Sequence, residues 1–155
     1  MRPGLCCISL NLKENGHSFQ TMTYKRFSSL PREEALTILG ERILNNLVVT
    51  NETIRYCGDR GWTYRVSSDI FPLITFDQAN VSLEDLPNYE SIQDELYGIE
   101  QTIQNSCVRV SCHPSEFNVL ASTNQQAVEK TITELNFYSS FFDAIGLAAD
   151  YSAPM

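Results

Sequence analysis

The segment Val110-Ser111-Cys112-His113-Pro114-Ser115-Glu116-Phe117 places one of the chain's two histidines at the end of an apolar, β-branched run and follows it with a proline. Imidazole is a ligand for divalent transition metals and a proton carrier near neutral pH. A strand that stops on His-Pro aims the ring out of its carboxyl end, which is where α/β proteins bind ligands and metals. A histidine that only hydrogen-bonds at a strand exit fits the same position, so the chemistry depends on what else converges there. Five cysteines (Cys6, Cys7, Cys57, Cys107, Cys112) are odd in number and lack CxxC spacing. That pattern supports neither a disulfide framework nor a zinc ribbon. Cys6 and Cys112 fall in expected strands and read as reduced, buried hydrophobes.

The elements that must position these groups alternate. Leu5 to Leu10 reads as a buried strand, followed by a polar loop from Asn11 to Lys25 that contains Gly16 and His17. Ser29-Leu30-Pro31-Arg32-Glu33-Glu34 reads as a helix start, with Ser29 as cap, Pro31 in the first turn and acidic residues opposing the dipole. Leu36, Leu39, Ile43, Leu47 and Ile54 recur at helical spacing down to Tyr56, and Gly58 ends the run. A second strand spans Thr63 to Ser68, and Asp77 to Asn88 is an irregular acidic insertion. A helix spans Tyr89 to Gln104, and a third strand Val108 to Cys112. A last helix runs from near Asn124 to Ala144, with Val128, Ile132, Leu135, Tyr138 and Phe142 on one stripe, and Gly146 closes it. The order β-α-β-α-β-α with helix-length connections implies parallel strands, in a doubly wound sheet or part of a (β/α) barrel. No GxGxxG or GxxxxGK[ST] loop follows any strand, which counts against nucleotide-binding versions.

A length of 155 residues, 43% of them hydrophobic, fits one ordinary globular domain. No apolar run approaches the roughly 20 residues that span a bilayer, and the start lacks the apolar core of a signal peptide. An intracellular protein is expected. The net charge of −8 argues against a generic polyanion binder. It is unevenly placed, however: residues 1–65 carry nine Lys and Arg against six Asp and Glu, and residues 66–155 carry two against thirteen. The basic half could hold a phosphate-binding face; two differently solvated surfaces explain the split equally well.

Three segments at strand ends stand together: Gly4-Leu5-Cys6-Cys7-Ile8-Ser9-Leu10 with its following loop through Leu30, Tyr64-Arg65-Val66-Ser67-Ser68-Asp69-Ile70-Phe71-Pro72-Leu73, and Cys112-His113-Pro114-Ser115-Glu116-Phe117-Asn118-Val119-Leu120. In this order and spacing the set resembles the UV damage endonuclease family over essentially the whole chain. The resemblance implies an α/β protein built as a (β/α) TIM-type barrel, of which residues 1–155 supply the first three to four units as the N-terminal part of a single domain. It implies a DNA repair enzyme that nicks damaged double-stranded DNA 5′ to ultraviolet photoproducts and other lesions. Such enzymes use a divalent metal cluster, manganese above all, held by His, Glu and Asp side chains.

Carried over position by position, the resemblance makes His113 a metal ligand. Glu116 and Phe117 fall where the family has a Gln and an aromatic residue that probe the distorted duplex. Phe117 keeps the capacity to fill space left by unstacked bases; Glu116 lacks the amide. Ser9 and Leu5 stand where some members place a lesion-contacting Asn and Tyr. Tyr24, Lys25 and Arg26 add basic and aromatic character suited to a DNA backbone. Arg65, Ser67 and Ser68 would line the site, the serines bonding phosphate or capping backbone groups. Two departures stand out. Phe76 occupies the place of a metal-binding His, with Asp77 beside it as a substitute carboxylate, and the remaining ligands belong to later strands, for which the missing C-terminal half of the barrel would be the partner. His17 matches no ligand position and reads as an exposed loop residue. Two rival readings are a metal-dependent sugar isomerase or abasic-site endonuclease on a related barrel, and a non-catalytic fragment.

Overall fold

The computed structural model describes residues 2–112, 115 and 118–147. Three short strands, β1 (Gly4–Cys6), β2 (Thr63–Val66) and β3 (Val110–Cys112), pair in parallel in the order β1-β2-β3. Helices α1 (Leu10–Glu14), α2 (Tyr24–Ser28) and α3 (Arg32–Gly58) connect the first two strands. α4 (Tyr89–Ser106) connects the second pair, and α5 (Gln125–Ala144) follows β3. The protein is thus α/β with a parallel sheet. No helix among the described residues is long and apolar enough to cross a membrane.

The apolar stripe of α3 forms the centre of the core: Leu39, Ile43, Leu47 and Ile54 are fully buried, with Ile92 and Ile99 of α4 and Tyr64, Val66, Val110 and Cys112 of the sheet. Register explains which strand residues join them. Leu5, Tyr64 and Val110 are aligned across the sheet, as are Cys6, Arg65 and Ser111. Side chains alternate along a strand, so the first row and its neighbours Val66 and Cys112 face the helices. The Cys6–Arg65–Ser111 row lies on the opposite face, where Cys6 and Arg65 are exposed. Cys112 is the buried thiol expected from the sequence, and Cys6 is not.

Several local expectations are corrected. The first strand ends at Cys6 because Cys7 adopts φ +59° and the Ile8 N–H bonds back to the Cys6 carbonyl at 2.7 Å. The chain leaves the sheet there, so Ile8 and Leu10 are 50% and 74% exposed rather than buried. The expected polar loop from Asn11 to Lys25 contains most of α1 and the start of α2. Ser29 does not cap α3; it closes α2, its Oγ donating to the Arg26 carbonyl at 2.8 Å. Pro31 takes the cap position of α3 without a side-chain bond, and Glu33 and Glu34 complement the helix dipole in the first turn. β2 and β3 are shorter than expected, while α4 extends two residues further. His17 is half-buried, not exposed, where the chain leaves α1.

The stripe of α5 is also rotated. Tyr138 and Phe142 are buried as expected, but Thr131 and Phe141 accompany them while Ile132 is 46% exposed. The cause is an aromatic cluster: Phe71 meets Phe137 and Phe141 edge-on, with ring centroids 5.0 and 5.1 Å apart. Edge-to-face pairs add about 0.5–1.5 kcal/mol each beyond area burial, enough to turn the helix toward Phe71. Asn124 caps this helix through its side chain, and Gly146 at φ +69° ends it. The insertion from Asp77 to Asn88 is irregular as expected, with single 3₁₀ turns at Asp77–Ala79 and Leu83–Asp85. Arg32 holds it to α3, its guanidinium donating to the carbonyls of Ala79 and Asn80 at 2.8 and 2.6 Å.

Candidate functional site

A parallel sheet delivers all its strand-to-helix connections to one edge. Here that edge holds residues 7–31, 67–88 and Ser115. A cavity of about 260 Å³ lies between them. Thr21 and Met22 line it from the first connection, Ser68, Asp69 and Phe71 from the second, Ser115 from the third, and Glu134, Phe137 and Tyr138 from α5. The three segments singled out in the sequence therefore converge.

Two polar anchors hold this edge together. Asn46, fully buried in α3, accepts from the Gln20 N–H at 2.7 Å and donates to the Gln20 carbonyl at 2.9 Å. Its amide also reaches the carbonyls of Asp69 and Ile70, each at 3.2 Å. One amide thus clamps the first connection to the second. Tyr138 performs the same service from α5, donating to the Ser68 carbonyl at 2.8 Å. Burial pushes the Tyr138 hydroxyl well above the usual tyrosine range, with nearby Cys112 and Glu134 adding to it, so it remains a donor. The Glu134 carboxylate accepts from the Ser115 N–H at 3.2 Å. Sequence reading missed Asn46, although a polar residue three positions after Ile43 on an apolar stripe was a visible signal.

Ser9 caps α1, accepting from the Leu12 N–H at 3.3 Å, and its residue is 8% exposed; its hydroxyl proton remains available to donate. Ser67 is buried and caps the following turn through the Asp69 N–H at 3.2 Å, whereas Ser68 faces the cavity. Arg65 is exposed on the face of the sheet away from the helices. Tyr24 and Lys25 open α2, Lys25 and Arg26 being exposed. Tyr24 packs against Phe76 with ring centroids 5.2 Å apart. Phe76 itself is 39% exposed. His113, Glu116 and Phe117, the expected metal ligand and duplex probes, lie outside the described residues.

Among the described residues, no three His, Cys, Asp or Glu side chains gather closely enough to hold a metal ion. Phe76 offers a carbon ring where the resemblance implies an imidazole. Asp77 lines one recess with Arg32 and Asp85 and another with Ser115 and Glu134. The described residues alone do not fit a metal cluster.

The family model described as UV-endonuclease UvdE matches residues 1–154. A UV DNA damage endonuclease of Nostoc sp. is 30% identical over 146 residues, covering 93% of this chain and 43% of that protein. One from Bacillus velezensis is 28% identical over 130 residues, covering 83% and 39%. In fold, the chain is similar to the crystal structure of SacUVDE, with a TM-score of 0.74 and 23% identity over 95% of this chain and 46% of that one. The chain spans less than half the length of these relatives. With its strand-end segments gathered at one edge and the family model matched almost end to end, the chain belongs to the UV-endonuclease UvdE family.

Proposed function

We propose that the chain provides the N-terminal part of a (β/α)-barrel DNA repair endonuclease acting inside the cell. In this reading it supplies the first three units of the barrel and part of its lesion-binding face. The observation that carries the reading is the convergence of all three strand-end connections on one cavity edge. The exposure of Cys6 and Arg65 on the second sheet face supports the barrel, because parallel sheets are ordinarily covered on both faces. Closure by the strands of a C-terminal half would turn the Cys6–Arg65–Ser111 row inward.

The substrate is damaged double-stranded DNA, nicked 5′ to photoproducts and other lesions. Exposed Lys25 and Arg26 suit backbone phosphates, which favour cationic side chains at the surface. Ser9, Arg65, Ser67 and Ser68 line the approach. Glu116 and Phe117 probe the duplex, and exposed Ile8 and Leu10 add apolar surface suited to a partly unstacked step. His113 is one ligand of a divalent metal, manganese by family likeness, whose other ligands come from outside the described residues. When bound, such a metal supplies Lewis acidity toward the phosphodiester. Asn46 and Tyr138 keep the two connections in register beneath the substrate.

The test pairs two measurements on the 155-residue chain. Fluorescence anisotropy with irradiated, abasic and undamaged duplexes should show preference for the irradiated one, weakened by Lys25→Glu. Manganese calorimetry should show binding lost in His113→Ala. Equal affinity for all three duplexes would overturn the lesion reading, preference for the abasic duplex would favour an abasic-site endonuclease, and no DNA binding would favour the sugar isomerase or a non-catalytic fragment. Nicking assays with manganese present locate the cut relative to the lesion.

A further inference from the structure

The segment Cys6-Cys7 carries a feature that DNA binding does not use. In a continuing strand adjacent side chains point to opposite faces, and two neighbouring thiols would be held apart. Here Cys7 is the centre of a three-residue turn: its φ is +59°, and the Ile8 N–H closes on the Cys6 carbonyl at 2.7 Å. A turn with positive φ at its centre is rare and strained for a residue with a Cβ. The strain is held by two further bonds, from the Cys7 N–H to the Arg65 carbonyl at 2.8 Å and from the Tyr64 hydroxyl to the Cys7 carbonyl at 3.1 Å. The result is a thiol pair with Sγ atoms 3.6 Å apart, Cys6 exposed and Cys7 half-buried.

That separation discriminates between two kinds of thiol chemistry. A disulfide needs its sulfur atoms at about 2.05 Å and its Cα atoms usually beyond about 4.4 Å, whereas consecutive Cα atoms are about 3.8 Å apart. Oxidation would therefore pull the sulfurs together by about 1.5 Å into a strained ring. Two bonds of about 2.3 Å to a shared centre, the length of a zinc–thiolate bond, instead span 3.6 Å at roughly 100°. This is close to a tetrahedral angle and requires no movement of the sulfurs.

We propose that Cys6 and Cys7 form a two-sulfur site for a soft, thiophilic centre, of the class of trivalent arsenicals and d¹⁰ cations, at the carboxyl end of β1. With an organoarsenic oxide, two As–S bonds form while the As=O bond and two S–H bonds break. The oxygen leaves with both protons as water, and arsenic stays trivalent. With a cation, the two thiol protons pass to solvent. Burial pushes the Cys7 thiol up to about 11, with the neighbouring Cys6 contributing and Arg65 opposing. Cys7 thus stays protonated at neutral pH and is a poor target for single-site alkylation; chelation through two sulfurs overcomes that resistance. The site belongs to the 155-residue chain, in which Cys6 is exposed; closure of a barrel would set the same row toward its interior.

The test titrates the reduced 155-residue chain with phenylarsine oxide and follows intact mass and accessible thiols. One equivalent should silence two thiols, with the adduct reversed by a dithiol but not by the same excess of a monothiol. Cys6→Ser should weaken capture at least tenfold, and Cys107→Ser, at the other exposed cysteine, should leave it unchanged. Cys7→Ser alters the strained turn, so Cys6→Ser is the deciding variant, with an unchanged thermal melt confirming its fold. Cadmium titration, read by thiolate-to-metal absorption, separates the sources: cadmium binding lost in Cys6→Ser extends the site to cations, and arsenical capture alone assigns it to trivalent arsenic. Wild-type affinity retained in Cys6→Ser, or an adduct that maps to Cys107, overturns the proposal.

Discussion

Replacing Asn46 tests whether one buried amide holds the functional edge together. The side chain exchanges two bonds with the backbone of Gln20 and shares its remaining proton between the carbonyls of Asp69 and Ile70. A typical intramolecular hydrogen bond contributes a net 0.5–1.5 kcal/mol, and an orphaned buried partner costs about 1–3. Asn46→Leu keeps the volume, excludes water and abandons all four backbone groups, so we expect a loss of about 3 kcal/mol. Asn46→Ala leaves room for a bridging water, so its loss should be nearer 2 kcal/mol. Against a total stability of about 5–15 kcal/mol either is easily measured; with urea m-values of about 1–3 kcal/mol/M, the midpoint for Asn46→Leu should fall by about 1–2 M. Asn46→Asp supplies the sharper test. It keeps the acceptor for Gln20 but turns a carboxyl toward three carbonyl oxygens, which favours the protonated form and raises its folded-state pKa. The stability of that variant should therefore be greatest below about pH 4, the unfolded value, and fall as pH rises toward neutrality. A Leu variant within about 0.5 kcal/mol of wild type, or an Asp variant that gains stability toward neutral pH, would refute the clamp.

Cys57 is fully buried, and burial raises its thiol from 9.0 to about 11. The stability this group contributes is present below pH 9 and is lost as pH rises toward 11, so Cys57→Ala should flatten alkaline unfolding over that window by roughly 2–3 kcal/mol. A variant whose alkaline slope matches wild type would show that the thiol ionises equally in both states. Gly40 sits where α3 meets the start of α4, and a Cβ there would overlap the Asn88 side-chain amide. Gly40→Ala should destabilise by about 1–3 kcal/mol despite a helix-propensity gain of about 1; a stabilised variant in thermal melts would show that Asn88 moves freely aside.

The parts of the fold written in long periodic segments were legible, and the parts set by single residues were not. The stripe from Leu39 to Ile54 and the helix around Ile92 and Ile99 repeat their signal over several turns, and α3 and α4 follow it. The parallel pairing follows as well, because helix-length connections leave little else. The end of β1 was hidden because positive φ is the province of glycine, and nothing in the residue type of Cys7 announces it. The five-residue helices α1 and α2 are too short for a period, and Ser29 carries the composition of an N-cap while serving the end of the previous helix. In α5, two stripes share Tyr138 and Phe142, and only the aromatic contacts of Phe71 decide between them. Of the candidate site, Ser68 and Ser115 line one cavity, whereas the Asn46 clamp connects residues too distant in sequence for spacing to reveal.

The sheet's simple order has a consequence for biosynthesis. β1 pairs only with β2, and β2 with β3, among the described residues, so spatial neighbours are also successive neighbours in the chain. β2 and β3, as they leave the ribosome, each find a template edge already made and the preceding helix already synthesised. Among these three strands, assembly can proceed from the amino terminus in whole β/α steps, and only the outer edge of β1 is left for a later partner. A ribosome-stalled series should therefore gain protease resistance in increments, the first appearing once Val66 has cleared the exit tunnel and the second once Cys112 has done so.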